Sequence, residues 1–250
     1  MSIHEEPIRV GVVGALGRMG STVVSTVQEQ PDLTLVAQID QGDDLTELIR
    51  VGAQVIVDFT APDVVMPTLK FALENGIHCV IGTTGFDAGK LTELAQWSSK
   101  SPGTGVLIAP NFGIAAILMM KMAQIAAPHF ESVEIVELHH PKKVDAPSGT
   151  AIRTAEMIAA VRPDAVMPDA TVAALDGARG AQVAGVPIHS LRISGLVAHQ
   201  EVIFGGEGET LTIRHDSLSR ESFMPGVVLG IREVAKHPGL TVGLDSYLGL

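Results

Sequence analysis

The chain has 250 residues, 46% of them hydrophobic, and a formal net charge of −11. This length suffices for one large domain or two small ones, each with its own core. The negative balance and the absence of any Lys/Arg run exclude nucleic acid and anionic membranes as expected partners, so a local basic cluster must hold any anionic substrate.

Three further features predict a cytoplasmic protein without a membrane partner. The single cysteine, Cys79, excludes an internal disulfide. The first ten residues lack the basic and apolar regions of a signal peptide. The most apolar run, Ile114 to Met120, is ended by Lys121 and is too short to span a bilayer.

Apolar runs alternate with amphipathic stretches through the first hundred residues. The predicted strands are Ile8–Val13, Leu33–Ile39, Val55–Phe59, Cys79–Ile81 and Val106–Ala109. The predicted helices between them are Ser21–Gln30, Val64–Asn75 and Lys90–Lys100. This alternation is typical of βαβ units with a parallel sheet, and the short segment Gly42–Val51 predicts one abbreviated crossover.

The first strand runs into a glycine-punctuated turn, GALGRMG at residues 14–20, and then into a helical pattern. Glycine lets the backbone approach a pyrophosphate, and the helix N-terminus supplies N–H donors. Leu16 stands where the usual G-x-G-x-x-G has its middle glycine. Asp40 ends the second strand, where an acid accepts hydrogen bonds from ribose hydroxyls. The alternative is an ordinary βα turn with a solvated aspartate; the combined pattern favours a dinucleotide.

Two more loops follow predicted strands, and ligands of open parallel sheets lie at such carboxyl ends. The loops are Gly82-Thr83-Thr84-Gly85-Phe86 and Ala109-Pro110-Asn111-Phe112. We expect the nicotinamide half of a cofactor here, although both sequences also suit ordinary turns.

The pattern of predicted helices and strands changes after Asn111. The predicted helices are Ile114–Ala127, Ala151–Val161 and Ser222–Lys236; the predicted strands are Val133–Leu138, Ile188–Ser194, Glu201–Phe204 and Thr210–Arg214, with 162–184 mostly loop. Successive strands with short glycine links predict an antiparallel or mixed sheet. The fold class is therefore α/β, with a Rossmann-like dinucleotide-binding domain and a second, α+β domain.

The string ELHHPKKVDAPSGTA, residues 137–151, carries the remaining chemistry. Adjacent histidines on a strand point to opposite faces, so a metal site at His139 and His140 is not expected. Ser148 lacks the G-x-S-x-G context of a nucleophile. A Ser-Gly-Thr before a helix offers free N–H groups to an anion, and one histidine at the strand end can act as a general acid.

Simpler interpretations stay open for parts of this string. Ser148 could only cap the helix, one histidine could be structural, and either lysine could be a solvated charge, an interpretation we prefer for Lys142. We expect only one imidazole to act as the acid.

The motifs GALGRMG, GTTGF, APNF and ELHHPKKVDAPSGTA, in this order, resemble those of the dihydrodipicolinate (4-hydroxy-tetrahydrodipicolinate) reductase family of lysine and diaminopimelate synthesis. The resemblance runs along essentially the whole chain. It implies NAD(P)H-dependent reduction of a cyclic imine bearing two carboxylates. It also implies a cofactor domain completed by the C-terminal helix and a central domain that forms a homotetramer.

The resemblance also implies residue roles. His139 resembles the family's proton donor and Lys143 its second acid. The expected substrate-binding residues are His140, Ser148, Gly149 and Thr150. The expected cofactor contacts are Gly14, Ala15, Leu16, Gly17, Arg18, Met19, Asp40, Gly82, Thr83, Thr84, Ala109, Pro110, Asn111 and Phe112.

We predict residues 1–111 with 218–250 as the cofactor domain and 112–217 as the substrate-binding and tetramerisation domain. NADH is the expected cofactor, with activity on NADPH as well, because the Asp40 carboxylate repels a 2′-phosphate. Two alternatives remain, namely a non-catalytic nucleotide-binding sensor and an unrelated oxo-acid dehydrogenase.

Overall fold

A computed structural model describes residues 6–164, 166–172 and 175–250. They form two compact units: the residues up to Gly113 with Phe223–Leu250, and Ile114–Ser222. The predicted boundaries at residues 111 and 218 lie within five residues of these. The roles assigned to the two domains remain predictions.

The strands and helices are as follows in chain order. The strands are β1 (Ile8–Val13), β2 (Leu33–Ile39), β3 (Val55–Asp58), β4 (His78–Ile81), β5 (Gly105–Ile108), β6 (Ser132–His139), β7 (Ala181–Val183), β8 (Val186–Arg192), β9 (Ala198–Gly206), β10 (Glu209–Ser217) and β11 (Gly239–Val242). The helices are α1 (Arg18–Glu29), α2 (Thr46–Arg50), α3 (Val65–Glu74), α4 (Ala88–Ser99), α5 (Ile114–Ala126), α6 (Gly149–Ala160) and α7 (Met224–Glu233).

The first unit is built on a parallel sheet in the order β11-β5-β4-β3-β1-β2. Every residue of β3 and β5 is buried. Helices on both faces of a parallel sheet leave neither face in contact with solvent, which is why the sequences of these strands are almost entirely apolar. The predicted Rossmann-like domain is confirmed, and α2 is the abbreviated crossover.

The C-terminal segment returns to this unit and completes it. The predicted helix Ser222–Lys236 is α7 flanked by 3₁₀ turns at Arg220–Phe223 and Val234–Lys236. Arg232 of α7 donates two hydrogen bonds of 2.7 Å to Asp32, which follows α1. Strand β11, which sequence reasoning did not predict, adds a parallel edge beside β5.

The second unit contains a mixed sheet in the order β10-β9-β6-β8-β7, which confirms that prediction. Strand β6 pairs antiparallel with β9 and parallel with β8. Buried residues alternate along β6 as far as Glu137, because α5 and α6 pack against one face of the sheet. The predicted loop 162–184 ends in the short edge strand β7, while its residues 165, 173 and 174 lie outside the described part.

Two features of the described residues bear on function. None of the helices there is long and apolar enough to cross a membrane. The same residues contain no group of three or more His, Cys, Asp or Glu side chains placed to hold a metal ion.

Candidate functional site

The first unit gathers its predicted cofactor residues at one edge of the sheet. Val13, Asp58 and Ile81 lie in register on β1, β3 and β4, so the loops that follow these strands emerge side by side. The loop after β5 joins the row, because the Ala109 N–H donates to the carbonyl of Ile81 at 3.0 Å. This is the carboxyl edge at which open parallel sheets bind ligands.

The glycine turn has a conformation and a packing that require its glycines. Gly14 has φ +80°, and a Cβ there would lie 2.5 Å from the carbonyl oxygen of Phe59. A Cβ at Gly20 would lie 1.9 Å from the carbonyl oxygen of Gly14. Helix α1 therefore starts directly against the turn, and its first N–H groups have no acceptor inside the helix. The Leu16 side chain, in place of the middle glycine, is exposed.

Asp40 lies beside this turn, as predicted from the second strand. One carboxylate oxygen accepts the Leu16 N–H at 2.7 Å and the other accepts the Gln41 N–H at 2.8 Å. These two backbone hydrogen bonds lower the pKa of Asp40, and the bond from Gln41 has the larger effect. A second carboxylate is close, since the Asp40 N–H donates to Asp43 at 2.8 Å. The end of β2 thus carries concentrated negative charge.

The loop after β4 is interlocked with the end of β3. A Cβ at Gly82 would lie 2.0 Å from the ring of Phe59, so this glycine permits a close approach inside the protein. Thr83 is buried, and its hydroxyl donates to Asp58 at 2.6 Å. Thr84 is exposed. Of the predicted contacts in this loop, only Thr84 presents its side chain to solvent.

The loop after β5 exposes Pro110 and buries Phe112. The Phe112 ring lies 5.8 Å from that of Phe59, between centroids. Asn111 accepts the Gly113 N–H at 2.7 Å. Any contact that Phe112 makes with a ligand must therefore come from its backbone.

The second unit places its predicted acid against a carboxylate that sequence reasoning missed. Glu137 is fully buried on β6, and its Oε2 lies 2.5 Å from Nδ1 of His139. The two side chains lie on one face because they are two residues apart on a strand. His139 is 14% exposed at the end of β6, so its ring reaches the surface of the unit.

The ionisation of Glu137 determines which nitrogen of His139 carries the hydrogen of this bond. Burial by itself would raise the pKa of Glu137, but hydrogen bonds from His139, Arg192 and Ser190 hold it at about 2. An ionised carboxylate only accepts, so Nδ1 of His139 carries the hydrogen of this bond. Nε2 is the ring nitrogen that takes no part in this bond.

Arg192 of β8 neutralises the buried charge of Glu137 and links it to the next loop. Its two terminal nitrogens lie 2.9 Å from the two oxygens of Glu137. It also donates to the carbonyl of Asp145 at 2.7 Å, and the Asp145 carboxylate accepts from Lys143 Nζ at 2.7 and 2.8 Å. Such bidentate pairing orients both partners. One buried ion pair therefore organises the environments of His139 and Lys143.

Helix α6 begins at the predicted Ser-Gly-Thr. The buried Ser148 side chain accepts the Ala151 N–H at 3.2 Å and caps the helix, and its own N–H donates to Glu137 at 3.2 Å. At Gly149 an added Cβ would meet nothing within 4 Å. The chain has no internal need for a glycine at this position, which leaves room for a ligand above the helix N-terminus. Thr150 is half-buried.

The two histidines and the two lysines differ in exposure. His140 and Lys142 are exposed, whereas Lys143 is only 20% exposed and is paired with Asp145. The structure thus brings His139, Lys143 and the start of α6 to the same network, and His140 lies beyond the strand end. The preference for Lys142 as the solvated charge agrees with its exposure.

Two family models together cover nearly the whole chain. The model described as Dihydrodipicolinate reductase, N-terminus, matches residues 8–112, and the model for the C-terminus matches residues 115–248. The 4-hydroxy-tetrahydrodipicolinate reductase of Nocardia farcinica is 61% identical over 97% of this chain and 99% of its own length. That of Mycobacterium marinum is 57% identical over 97% of this chain and 100% of its own.

Solved structures give the same result. The dipicolinate-bound dihydrodipicolinate reductase of Paenisporosarcina sp. TG-14 has a TM-score of 0.86 and 41% identity, covering 96% of this chain and 99% of its own. An amine dehydrogenase of Mycobacterium smegmatis, at 13% identity and a TM-score of 0.62, shares the fold alone over 97% of this chain and 96% of its own.

Proposed function

We propose the function of this chain from one premise: the chain belongs to the dihydrodipicolinate reductase family. It catalyses the NAD(P)H-dependent reduction of 4-hydroxy-tetrahydrodipicolinate to tetrahydrodipicolinate, a step of lysine and diaminopimelate biosynthesis. The observation that carries the proposal is the buried Glu137 that holds Nδ1 of His139. That arrangement prepares a proton donor at the end of β6.

His139 is the general acid in this proposal. Its Nδ1 is committed to Glu137, so the proton delivered to substrate leaves from Nε2. Lys143 is the second acid; its ammonium group is held by Asp145, which Arg192 in turn orients. The same ammonium group supplies positive charge for an anionic substrate in a chain of net charge −11.

A substrate carboxylate binds at the start of α6. The open space at Gly149 and the N–H groups of the first helical turn suit a carboxylate. Thr150 and the exposed His140 are the additional polar groups. A relative solved with dipicolinate, a planar dicarboxylate, supports this class of ligand.

The first unit binds the dinucleotide. Reduced nicotinamide, when bound, supplies the hydride. The residues present fit such a group: Gly14 and Gly20 bring the turn against the start of α1, where N–H groups would hold a pyrophosphate. Thr84, Pro110 and Asn111 line the same sheet edge for the nicotinamide half.

NADH is the preferred cofactor in this proposal. Asp40 and Asp43 lie together at the end of β2, where a 2′-phosphate would meet two carboxylates. Arg18, exposed at the first position of α1, provides one compensating charge, so we expect activity with NADPH as well.

One assay tests the function directly. The substrate is generated in situ by the synthase of the preceding step, and the loss of reduced nicotinamide absorbance is followed. Turnover that requires both the synthase and the chain supports the proposal. A sensor would bind NADH without turnover, and an oxo-acid dehydrogenase would oxidise NADH only with 2-oxo acids; either result would refute it.

A further inference from the structure

One buried carboxyl in the first unit has no role in the chemistry described above. Asp58 ends β3 and has no solvent exposure. Its Oδ1 accepts three hydrogen bonds, from the Thr83 hydroxyl at 2.6 Å, the Thr60 hydroxyl at 2.8 Å and the Thr60 N–H at 3.0 Å. Its Oδ2 is buried and bonds to none of the described residues.

Burying the carboxyl group of Asp58 costs free energy that an uncharged side chain in the same turn would not cost. A side chain that accepts its own neighbour's N–H is a common way to end a strand, and serine or asparagine does so without charge. Burial raises the pKa of Asp58, and hydrogen bonds from Thr83 and Thr60 only partly offset that effect. The negative charge of Asp58 also contributes to the raised pKa of Cys79 on β4, after burial of the thiol itself. Groups kept at such a cost concentrate at functional sites.

Asp58 lies in a segment that joins the predicted cofactor loops. The segment Asp58-Phe59-Thr60 contacts all three predicted cofactor loops. The carbonyl of Phe59 lies under Gly14, and its ring covers Gly82 and packs against Phe112. The Thr60 N–H also donates to the Thr83 hydroxyl at 2.8 Å. The ends of β3 and β4 are therefore joined through one carboxyl oxygen.

We propose that Asp58 is a positioning residue that holds the loops after β3 and β4 in the conformation required by the reduced dinucleotide. It acts through Thr60 and Thr83 and does not itself touch the cofactor. The inference rests on the proposed function only in taking NADH as the ligand.

The test replaces Asp58 by asparagine, which keeps the shape and the acceptor oxygen but removes the charge. We expect the dissociation constant for NADH, measured by the fluorescence of the bound cofactor, to rise roughly tenfold, because a neutral amide oxygen holds Thr60 and Thr83 more weakly than a charged carboxylate oxygen does. KM for NADH should rise with it, while KM for the dicarboxylate substrate stays unchanged because that site lies in the other unit.

Stability should move in the opposite sense. Because the pKa of Asp58 is raised in the folded state, ionisation above that pKa destabilises the native protein, and the effect is absent at acid pH. Asp58→Asn should therefore unfold at the same or a higher temperature than wild type at pH 8, an advantage that disappears as the pH falls towards 4. If Asp58 were only structural, the substitution would lower the stability of the protein and its affinity for NADH together.

The controls separate the possible results. Asp63→Asn removes an exposed carboxylate from the same loop and should change neither the NADH dissociation constant nor the melting temperature. Thr60→Val removes one hydroxyl bond to Asp58 and should weaken NADH binding by a smaller factor. If Asp58→Asn does not fold, Thr60→Val decides the question.

Unchanged NADH binding in the folded variant, or a joint fall of affinity and stability, would overturn the role of Asp58. Failure of the wild-type chain to bind NADH would instead contradict the proposed function, before any variant is compared.

Discussion

The proposed roles of single residues in this chain depend mainly on the partner that orients each side chain. His139 is an ordinary strand-end histidine until the buried Glu137 fixes its Nδ1, and Glu137 is tolerable in the interior because Arg192 pairs with it at both oxygens. Lys143 is likewise held by Asp145. The proposed proton donors are thus parts of one charged network in the second unit.

His139→Ala and Lys143→Ala should each lower kcat by roughly 10²–10⁴, the usual range for a positioned proton donor. NADH affinity should barely change, because neither residue belongs to the unit with the glycine turn. Lys142→Ala, at the exposed neighbouring lysine, is the matched control and should retain kcat. A Lys143→Ala variant with wild-type kcat and lost NADH binding would show that the two units have been assigned the wrong roles.

Cofactor choice also depends on single residues. Asp40→Ala combined with Gln41→Arg should shift the preference from NADH towards NADPH, because it removes a carboxylate and adds a phosphate partner. The quantity to measure is the ratio of kcat/KM for the two cofactors at one fixed salt concentration, since screening alters charge effects. Gln41→Ala alone should leave the ratio near that of wild type. A wild-type ratio in favour of NADPH would mean that Arg18 outweighs Asp40 and Asp43.

At the scale of elements, the returning helix α7 is packed against the loop after β5. A Cβ at Gly226 of α7 would lie 2.0 Å from the carbonyl oxygen of Phe112. A helix can approach a backbone this closely only through glycine. The conformation of a predicted cofactor loop therefore depends on a helix more than a hundred residues later in the chain.

Gly226→Ala should destabilise the protein by about 1–3 kcal/mol or more, because backbone on both sides must move. It should also raise KM for NADH, since the Phe112 loop moves with it. The matched control is Gly149→Ala, also in a helix, where the added methyl meets nothing. Denaturant unfolding should find that variant at least as stable as wild type, with impaired turnover. Equal stability of Gly226→Ala and wild type would contradict the packing argument.

At the scale of the whole molecule, the surface of the second unit bears on assembly. Helices α5 and α6 cover one face of the mixed sheet, where they pack on the sheet residues Ile135, Val202 and Phe204. The other face carries half-buried Val136, Leu138 and Ile203, and β10 leaves an exposed edge. Exposed edges and partly apolar faces are usually covered in stable proteins.

We therefore predict a homotetramer with closed symmetry, assembled through the second unit. Light scattering at working concentrations should give about four times the 26.2 kDa of one chain. Replacing Leu138 or Ile203 by lysine should dissociate the assembly, whereas lysine at the exposed Thr34 of the first unit should not. A wild-type chain found only at 26.2 kDa would refute the prediction.

Sequence alone determined the elements whose signal is local. The largely apolar runs of β1–β5, the glycine turn before α1, and the cap and small residues that begin α6 were predicted because each depends on neighbours along the chain. Glu137 could have been found as well, since a residue two positions before His139 on a strand shares its face. The motif order, read against a known family, supplied the expected activity.

Only the tertiary structure decided which distant groups meet. Arg192 reaches Glu137 because β8 pairs in parallel with β6, and nothing near Arg192 in the sequence indicates that register. Asp58 is buried because β1 and β4 pair with β3 on either side, and β11 forms a strand by pairing with β5 at the edge of the sheet. Burial and pairing are set by which strands become neighbours, and that depends on the free energy of the whole fold rather than on any local pattern.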